Sequence, residues 1–588
     1  MKMQWKSKAA GVFVASLVVV LALAATARAG TVEWNYDGTS TTSVFWTVAA
    51  SWNPAQWPTP DNDVLLGTVI TNNRQLRLST GGAGVPANWD IKSLTVDDDV
   101  YVYSINQGGY SNRTITLQSG NLTVGAEGAF LTNSPGNGDG RYVVSLVIPN
   151  SLAATWDIQG PTLVGSILGA GSTGTTVTKT GAGTLTLTGG VNPNGAQTIT
   201  ETYAGAYTIN QGAFVNSVRM PVLSGVTVTP AVSGYDATLM SVGFGLGSGS
   251  NATFQGNAGD NAVIMAGASA GEISRLKIGT SGNGNTAYFK DLSKFHADLS
   301  GTQDGYSDGL GVTGTLDLGA PGTTNSLYIS LGSGSLQSGY VLAAGSTGMT
   351  GKFNSVYYNG SLIGSPESAG AINTTHRLVY GGNYILLENP STNTTKFWIN
   401  PDAGSLLDTD NWTSAPAYDG TDRLVVPTTG GVITTPDNWT AGEVTAYGGG
   451  FHLTGGTPAV PYVWRMSSDC GLSGDFRISG PETSITGAAG ATKIGLLDVD
   501  GNVDVNPDRW SIAGLLVRMR GLATGNPTYS FSSAVDGVCW GVDVDNTVTN
   551  ITFAAPPSGY NGMRMLTLNN TGAASGDVYI NHVNDTQT

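Results

Sequence analysis

Residues 179–190, KTGAGTLTLTGG, constrain the fold of this chain more than any other segment. A glycine turn precedes a strict alternation in which Leu185 and Leu187 are flanked by threonines. Alternation with a period of two places the leucines on one face of a strand and the threonines on the other. Short strand-like segments with glycine or asparagine stops recur at 114–125, 312–319 and 327–337. The pattern predicts an all-β chain after its N-terminal segment.

The N-terminal segment, residues 1–29, has the features of a secretory signal peptide. Lys2, Lys6 and Lys8 precede an apolar run at 11–25, and the sequence Ala-Arg-Ala ends at Ala29. This run is short for a membrane span, so an uncleaved anchor is the less favoured alternative. We therefore expect cleavage between Ala29 and Gly30, a secreted or cell-surface protein, and no membrane span in the mature chain.

Charge and composition narrow the class of protein. Removal of the peptide takes away Lys2, Lys6, Lys8 and Arg28, and the formal net charge moves from −15 to −19. An acidic, exported chain is a poor candidate for binding nucleic acid. Charged residues make up 11% of the chain, against about 25% in ordinary soluble domains. The surface is thus expected to be polar through Thr, Ser, Asn and Gly.

The length and an internal repeat bear on the organisation of the chain. Roughly 560 residues of strand exceed one sandwich, which implies several domains or a solenoid. The sequence PANW ending at Trp89 returns as PDNW ending at Trp439, and Phe45-Trp46 is matched with Phe397-Trp398. We predict a first β module at 30–390 and a related second module at 391–588. The second module would be shorter than the first. An alternative is that the sequence, which ends at Thr588, is a truncated part of a longer protein.

The segment 179–214 resembles the autotransporter-associated beta-strand repeat. The family pattern is K-x-G-x-G-T-L-x-L-x-G, a variable loop, then Y-x-G-x-T-x-I-x-x-G-x-L. The matching residues are Lys179, Gly181, Gly183, Leu185, Leu187, Gly189, Tyr203, Gly205, Ile209 and Gly212. Tyr207 and Phe214 depart from it, at positions where the family has Thr and Leu, and the loop is stretched.

This resemblance implies a right-handed parallel β-helix, or β-solenoid, of the passenger type at the cell surface, and it brings no catalytic residues. It also implies a C-terminal barrel in true autotransporters, and the sequence shows none. The Trp-rich starts of the two modules look like those of large exported proteins of planctomycete-type bacteria. We expect smaller β units there. At the first, Trp34, Trp46, Trp52 and Trp57 would cap the end of the β-helix or pack as a local core.

Carboxylate clusters are the first candidates for chemistry. Asp97, Asp98 and Asp99 are adjacent, but alternation separates Asp98 from its neighbours, which favours a solvated turn over a catalytic pair. The segment 498–504 has aspartates like those of a calcium loop, yet lacks the glycine and acidic residue that an EF-hand requires at positions six and twelve. We favour a hairpin there, with Val499 and Val503 flanking an Asp-Gly turn.

Other side chains give no catalytic, cofactor-binding or metal-ligating set. The four histidines, His296, His376, His452 and His582, are far apart in sequence. Cys470 and Cys539 would close a long loop if paired, and two separate buried thiols are the alternative. Tyr357-Tyr358, beside an Asn-Gly turn, is the best candidate for a sugar-binding platform, against a turn-flanking pair.

These observations favour an exported, non-enzymatic β-solenoid with an adhesin-like or structural role and no cofactor. Its partners would be extracellular polysaccharide or other surface proteins, because a low-charge wall suits weak, multivalent contact. Two alternatives stay open. A polysaccharide lyase or glycoside hydrolase would need a groove where Asp, Lys or Arg converge. A carbohydrate-binding array would need coplanar exposed aromatic rings.

Overall fold

A computed structural model of the chain consists almost entirely of β-strands in large, mostly parallel sheets. In the described residues the helices are two short 3-10 turns, Ala49–Ser51 and Thr409–Asn411, which confirms the all-β prediction. Ala29, Gly189, Cys539 and His582, which the sequence analysis named, lie outside the residues that the structure describes. The structure describes residues 30–34, 44–46, 49–67, 75–77, 89–97, 100–103, 113–126, 130–131, 144–149, 151–169, 174–188, 190–191, 198–199, 202–217, 219–257, 259–303, 305–391, 394–419, 421–427, 433–434, 439–441, 443–446, 451–454, 462–466, 470–479, 495–499, 503–512, 515–519, 528–531, 541–544, 551–553, 566–568 and 578–580.

The chain divides into two compact units, residues 1–214 and 215–588, and we describe each by itself. The first sheet of the first unit has the order Trp52–Asn53, Thr31–Trp34, Asp63–Leu66, Ser93–Val96, Leu122–Val124, Ala153–Ile158, Thr176–Thr180, Ala206–Ile209. The second sheet has the order Val44–Phe45, Gln75–Arg77, Val100–Tyr103, Phe130–Leu131, Thr162–Val164, Thr184–Leu187, Gly212–Asn216. The third has the order Ile167–Leu168, Val144–Val147, Arg113–Leu117, Trp89–Ile91, and Gly190–Val191 pairs with Thr198–Ile199.

As the chain advances through the first unit, it adds strands to the first, second and third sheets in turn. Leu94 stands in parallel register between Val64 and Leu122, and the intervening chain supplies strands to the other two sheets. Alternating side chains of these strands are buried, as period-two geometry requires. The inward-facing column of the first sheet runs through Val32, Val64, Leu94, Leu122, Trp156, Lys179 and Ile209. A lysine thus occupies a position in an otherwise apolar column.

The second unit has a β-helix-like pattern in which the chain supplies three sheets in turn. One sheet has the order Gly225–Val228, Asn251–Phe254, Asn285–Phe289, Gly314–Asp317, Gly348–Thr350. Another has the order Ala237–Ser241, Ala262–Ala266, Ser293–Gly301, Ser326–Gly334, Ser355–Tyr358, Ser361–Ile363. The third, which we call the third sheet of the second unit, has the order Met220–Leu223, Gly243–Leu246, Arg275–Ile278, Gly309–Val312, Gly339–Gly345, Tyr384–Glu388, Arg377–Tyr380.

Two further parallel sheets follow from Thr395 onward. One includes Thr395–Phe397, Arg423–Val426, Glu443–Ala446, Cys470–Ser479, Val503–Ile512, Thr528–Phe531, Ile551–Phe553 and Val578–Ile580, with Gly404–Ser405, Ile433–Thr434 and Phe451–Thr454 beside this path. The other has the order Trp439–Ala441, Tyr462–Met466, Gly495–Val499, Leu515–Met519, Gly541–Val544, Leu566–Leu568. The predicted hairpin at Val499 and Val503 is therefore wrong, because these residues belong to strands of different sheets. The module boundary near residue 390 and the Cys470–Cys539 disulfide stay predictions.

Two tryptophan units of similar local structure occur at residues 31–66 and 395–426. Trp34 pairs antiparallel with Trp52 in the first, and Trp398 with Trp412 in the second. The indole of Trp52 donates to the Trp46 carbonyl at 3.0 Å, and that of Trp412 donates to the carbonyl six residues earlier at 2.9 Å. In both units a 3-10 turn directly precedes the donor tryptophan.

The pairing of the two units corrects the match of Trp46 with Trp398. The structural counterpart of Trp398 is Trp34 rather than Trp46, since each pairs with the donor tryptophan of its own unit. The rings of Trp34 and Trp46 both contact that of Trp52 edge-on, with centroids 4.8 and 5.0 Å away. All three rings are buried, whereas Trp57 is 44% exposed.

Candidate functional site

The repeat-like motif is built around the buried side chain of Lys179. Period two places Lys179 on the inward face with Val177, and the ammonium turns back to the corner between two sheets. It donates to the carbonyl oxygens of Gly181 at 2.9 Å and Gln211 at 2.7 Å. Burial lowers the pKa of Lys179 to about 8, and the charge of Asp157 opposes that shift. The side chain thus joins two successive turns of the backbone.

The glycines of the motif permit a close approach of these turns. A Cβ on Gly183 would lie 2.6 Å from the Gln159 carbonyl, and one on Gly181 would overlap the backbone of Ile158. Gly212 has φ +65, and a Cβ there would lie 2.6–2.7 Å from the carbonyl oxygens of residues 181–183. Side chains at these positions would force the strands apart.

The second half of the motif is held by Tyr203. Its hydroxyl lies within hydrogen-bond reach of the Thr175 carbonyl at 3.1 Å and the Ala206 carbonyl at 3.0 Å. Gly205 lies against this hydroxyl, where a Cβ would overlap it. The Tyr203 ring contacts the Tyr207 ring, with centroids 4.9 Å apart, and Tyr207 contacts Phe214 at 5.2 Å. The two departures from the family pattern therefore form one buried aromatic cluster.

The motif presents its distinctive groups inward. Leu185, Leu187 and Ile209 are buried, as the alternation predicts. Its polar groups bond backbone carbonyls of the same chain. This arrangement stabilises the stacking of strands.

The predicted aromatic platform is part of a ladder on the outward face of the second unit. His296, Tyr328 and Tyr357 occupy matching positions on three neighbouring parallel strands. The His296 and Tyr328 rings stack with centroids 4.8 Å apart and planes 7° apart, and Tyr328 and Tyr357 stack at 4.4 Å and 4°. We call these three residues the aromatic ladder. The Lys294 ammonium lies 5.4 Å from the Tyr328 ring centroid.

The aromatic ladder differs from a flat sugar-binding surface. Rings whose parallel planes lie one above another cover each other's faces, whereas a sugar stacks on an open ring face. Both faces of Tyr328 are covered by His296 and Tyr357. Burial, with the charge of Lys294 next, lowers the pKa of His296. Tyr358 follows Tyr357 on the strand, so alternation directs its side chain to the other face.

The predicted carboxylate cluster lies partly among the residues that the structure describes. Asp98 and Asp99 lie outside the described residues, and Asp97 adjoins the end of the strand Ser93–Val96. Asp308 is buried and accepts from the backbone N–H groups of Ser274 at 2.8 Å and Asp298 at 3.1 Å. Burial raises the pKa of Asp308 to about 8 despite these bonds.

Metal-binding groups are scattered in the part of the chain that the structure describes. No three His, Cys, Asp or Glu side chains there are grouped so that they could hold a metal ion. His376 bonds the Gln337 carbonyl and the Thr375 hydroxyl, at 2.5 and 2.7 Å. Its ring nitrogens therefore serve the local fold.

The chain matches no protein-family model and no curated protein sequence. The resemblance to the autotransporter-associated repeat thus stays a prediction from the residues of the motif. Among the described residues, no helix has the length and apolar character needed to cross a membrane.

Proposed function

We propose that the chain is an exported right-handed parallel β-solenoid with a structural or adhesin-like role at the cell surface. The single observation that carries this proposal is the bonding of the Lys179 ammonium across successive turns of the backbone. A motif devoted to stacking strands is expected of a scaffold whose length matters more than any one pocket. The N-terminal sequence up to Ala29 supports export.

The aromatic ladder supports the same proposal. Matching side chains on neighbouring strands stack on each other, so this outward surface is preordered. Such a surface suits repeated weak contacts with a partner of many identical groups. The alternative of a carbohydrate-binding array based on stacking is less well supported, because the ring faces of Tyr328 are covered.

Export and display are tested by expressing the full chain in a Gram-negative host. We expect N-terminal sequencing of the processed protein to begin at Gly30, and protease added to intact cells to remove the protein. Ala29→Asp should block processing, and Ala9→Asp lies outside the cleavage sequence and serves as the control. Protein that stays unprocessed inside the cell would contradict the proposal.

The enzyme alternative is tested separately on the purified chain. We expect no new reducing ends or unsaturated products from polygalacturonate, alginate or neutral glucans over a day of incubation. Robust depolymerisation of any of them would replace the structural role with that of a polysaccharide-degrading enzyme.

A further inference from the structure

Three cationic side chains gather on the outward side of the third sheet of the second unit. Arg275 and Lys277 alternate with the buried residues Leu276 and Ile278, so both project from the same face of one strand. Arg219 directly precedes the strand Met220–Leu223 of the same sheet. We call Arg219, Arg275 and Lys277 the cationic notch.

The strand register places a position without a side chain between two of these cations. Gly243 pairs with Lys277 on one neighbouring strand. On the other neighbouring strand, Met220 pairs with the residue after Gly243, so Arg219 lies next to Gly243 in the register. Neighbouring strands lie about 4.8 Å apart, which sets the backbones of Arg219 and Lys277 about 10 Å apart across Gly243. On the strand at the other side of Lys277, the paired residue is Gly311, which also has no side chain. The Lys277 side chain thus stands between two glycine positions.

The neighbouring loop supplies one carboxylate and one fixed bond. The Arg275 Nη2 donates to the Pro401 carbonyl at 3.2 Å, which orients the guanidinium. The charge of Asp402 acts on all three cations. All three positive groups therefore lie within electrostatic reach of Asp402, in a chain whose overall net charge is −15.

Burial of Arg275 and Lys277 makes their positive charges costly. Burial, followed by the like charges of Arg275 and Arg219, lowers the pKa of Lys277 to about 7. Partly buried charges interact more strongly than charges in water, so a second anion would relieve this repulsion. Guanidinium groups bind planar oxyanions through two parallel hydrogen bonds, and an ammonium adds a compact charge.

We propose that the cationic notch binds the carboxylate or sulfate group of an acidic polysaccharide. This names the ligand class for the adhesin-like role proposed above and rests on that role. The chemistry is shared by uronate carboxylates, sulfate esters and free inorganic anions. Because binding uses charge and hydrogen bonds, it needs no open aromatic face.

The site itself is tested with small anions on the purified mature chain. Thermal unfolding is compared in sodium galacturonate, sodium sulfate, sodium phosphate and sodium chloride at equal ionic strength and pH 6. We expect galacturonate or sulfate to raise the unfolding temperature by several degrees relative to chloride, and Lys277→Met and Arg219→Gln to abolish that difference. Lys290→Met, at an exposed lysine that follows the strand Asn285–Phe289 of a different sheet, should retain it. An equal response of wild type and both variants, or no response, would overturn the site.

The ligand class is tested by titration calorimetry with oligogalacturonate, dextran sulfate and neutral dextran. We expect one of the acidic polymers to bind and neutral dextran not to bind, with affinity at least tenfold lower in each notch variant. Affinity should fall between pH 6 and pH 9 as Lys277, facing Arg219, Arg275 and Asp402, loses its proton. Phosphate binding without polymer binding would overturn the polysaccharide assignment while leaving export and display to their own experiment. Circular dichroism of Arg219→Gln, at an exposed position, guards against loss of fold.

Discussion

The ammonium of Lys179 donates a 2.7 Å hydrogen bond to the carbonyl of Gln211, thirty-two positions further along the chain. The bond crosses from one turn of the backbone to the next, at the corner between two sheets. A side chain on an inward position therefore satisfies carbonyl groups of the backbone where the chain turns from one sheet to the other.

Replacing this lysine should weaken the turns more than the sheets. Lys179→Met leaves the carbonyls of Gly181 and Gln211 without the ammonium, at an expected cost of about 2 kcal/mol in the free energy of unfolding. Urea unfolding gives the magnitude, and faster amide exchange at 181–183 and 211–212 locates it. Lys92→Met removes an exposed ion pair with Asp63 and should change stability by about 0.5 kcal/mol at most. Equal effects of the two changes would contradict the role of Lys179.

Gly212 tests the close approach of the same turns. Gly212→Ala places a Cβ 2.6–2.7 Å from three carbonyl oxygens, and we expect a loss of about 3 kcal/mol from the clash and the positive φ together. Gly249 has a similar φ of +72, and a Cβ added there would meet nothing within 4 Å. Gly249→Ala should therefore cost about 1 kcal/mol, measured in the same urea titrations. A similar cost at both positions would assign the effect to φ alone.

The two tryptophan units should respond alike to loss of the indole N–H. Trp52→Phe and Trp412→Phe each remove one hydrogen bond and part of a buried ring, so each should cost about 2 kcal/mol. Limited proteolysis near residues 46–53 and 406–413 measures the local loosening. Trp57→Phe, at a 44% exposed ring, should have little effect. A large difference between the two units would contradict their equivalence.

Asp308 should make stability depend on pH. Its pKa rises from 3.8 in the unfolded chain to about 8 on folding, because burial disfavours the carboxylate. The folded state then holds the proton more tightly, so its contribution to stability is full below pH 4 and is lost as the pH rises to about 8. The slope can reach about 1.4 kcal/mol per pH unit. Unfolding of wild type and Asp308→Asn, measured from pH 5 to pH 8.5, should diverge with this sign, and parallel curves would contradict it.

Tyr328 tests whether the aromatic ladder binds sugar or stabilises the sheet. Tyr328→Ala removes two ring stacks and should cost about 2 kcal/mol, since aromatic pairs contribute about 0.5–1.5 kcal/mol each. Tyr235→Ala, at a 48% exposed ring, is the control and should be close to neutral. Calorimetry with neutral oligosaccharides should show no binding that depends on Tyr328. Binding by wild type that the substitution abolishes would restore the platform interpretation.

The sequence predicted the direction of side chains better than their partners. The burial of Leu185 and Leu187 follows from period two, which is a property of any strand. The same rule places Lys179 inward beside Val177, so a signal for its burial was present in the alternation. The comparison with the family pattern identified Lys179 as a matching residue and did not predict that its side chain is buried.

Contacts across the sheets could not be predicted in the same way. The stack of Tyr328 on Tyr357 depends on a register set by loops of unequal length, and no fixed spacing in the sequence encodes it. The match of Trp398 with Trp46 followed residue type, whereas antiparallel pairing makes Trp34 its counterpart. The cationic notch was likewise missed, because Arg219 and Lys277 meet only through the strand of Gly243.

The short strand Trp52–Asn53 runs antiparallel to Thr31–Trp34 at one sheet margin, and Ser361–Ile363 runs antiparallel to Ser355–Tyr358 at another. A parallel strand from a second molecule would meet there a neighbour of opposite polarity, with a different hydrogen-bond pattern. Parallel pairing with a strand of a second molecule is thereby disfavoured at these two margins.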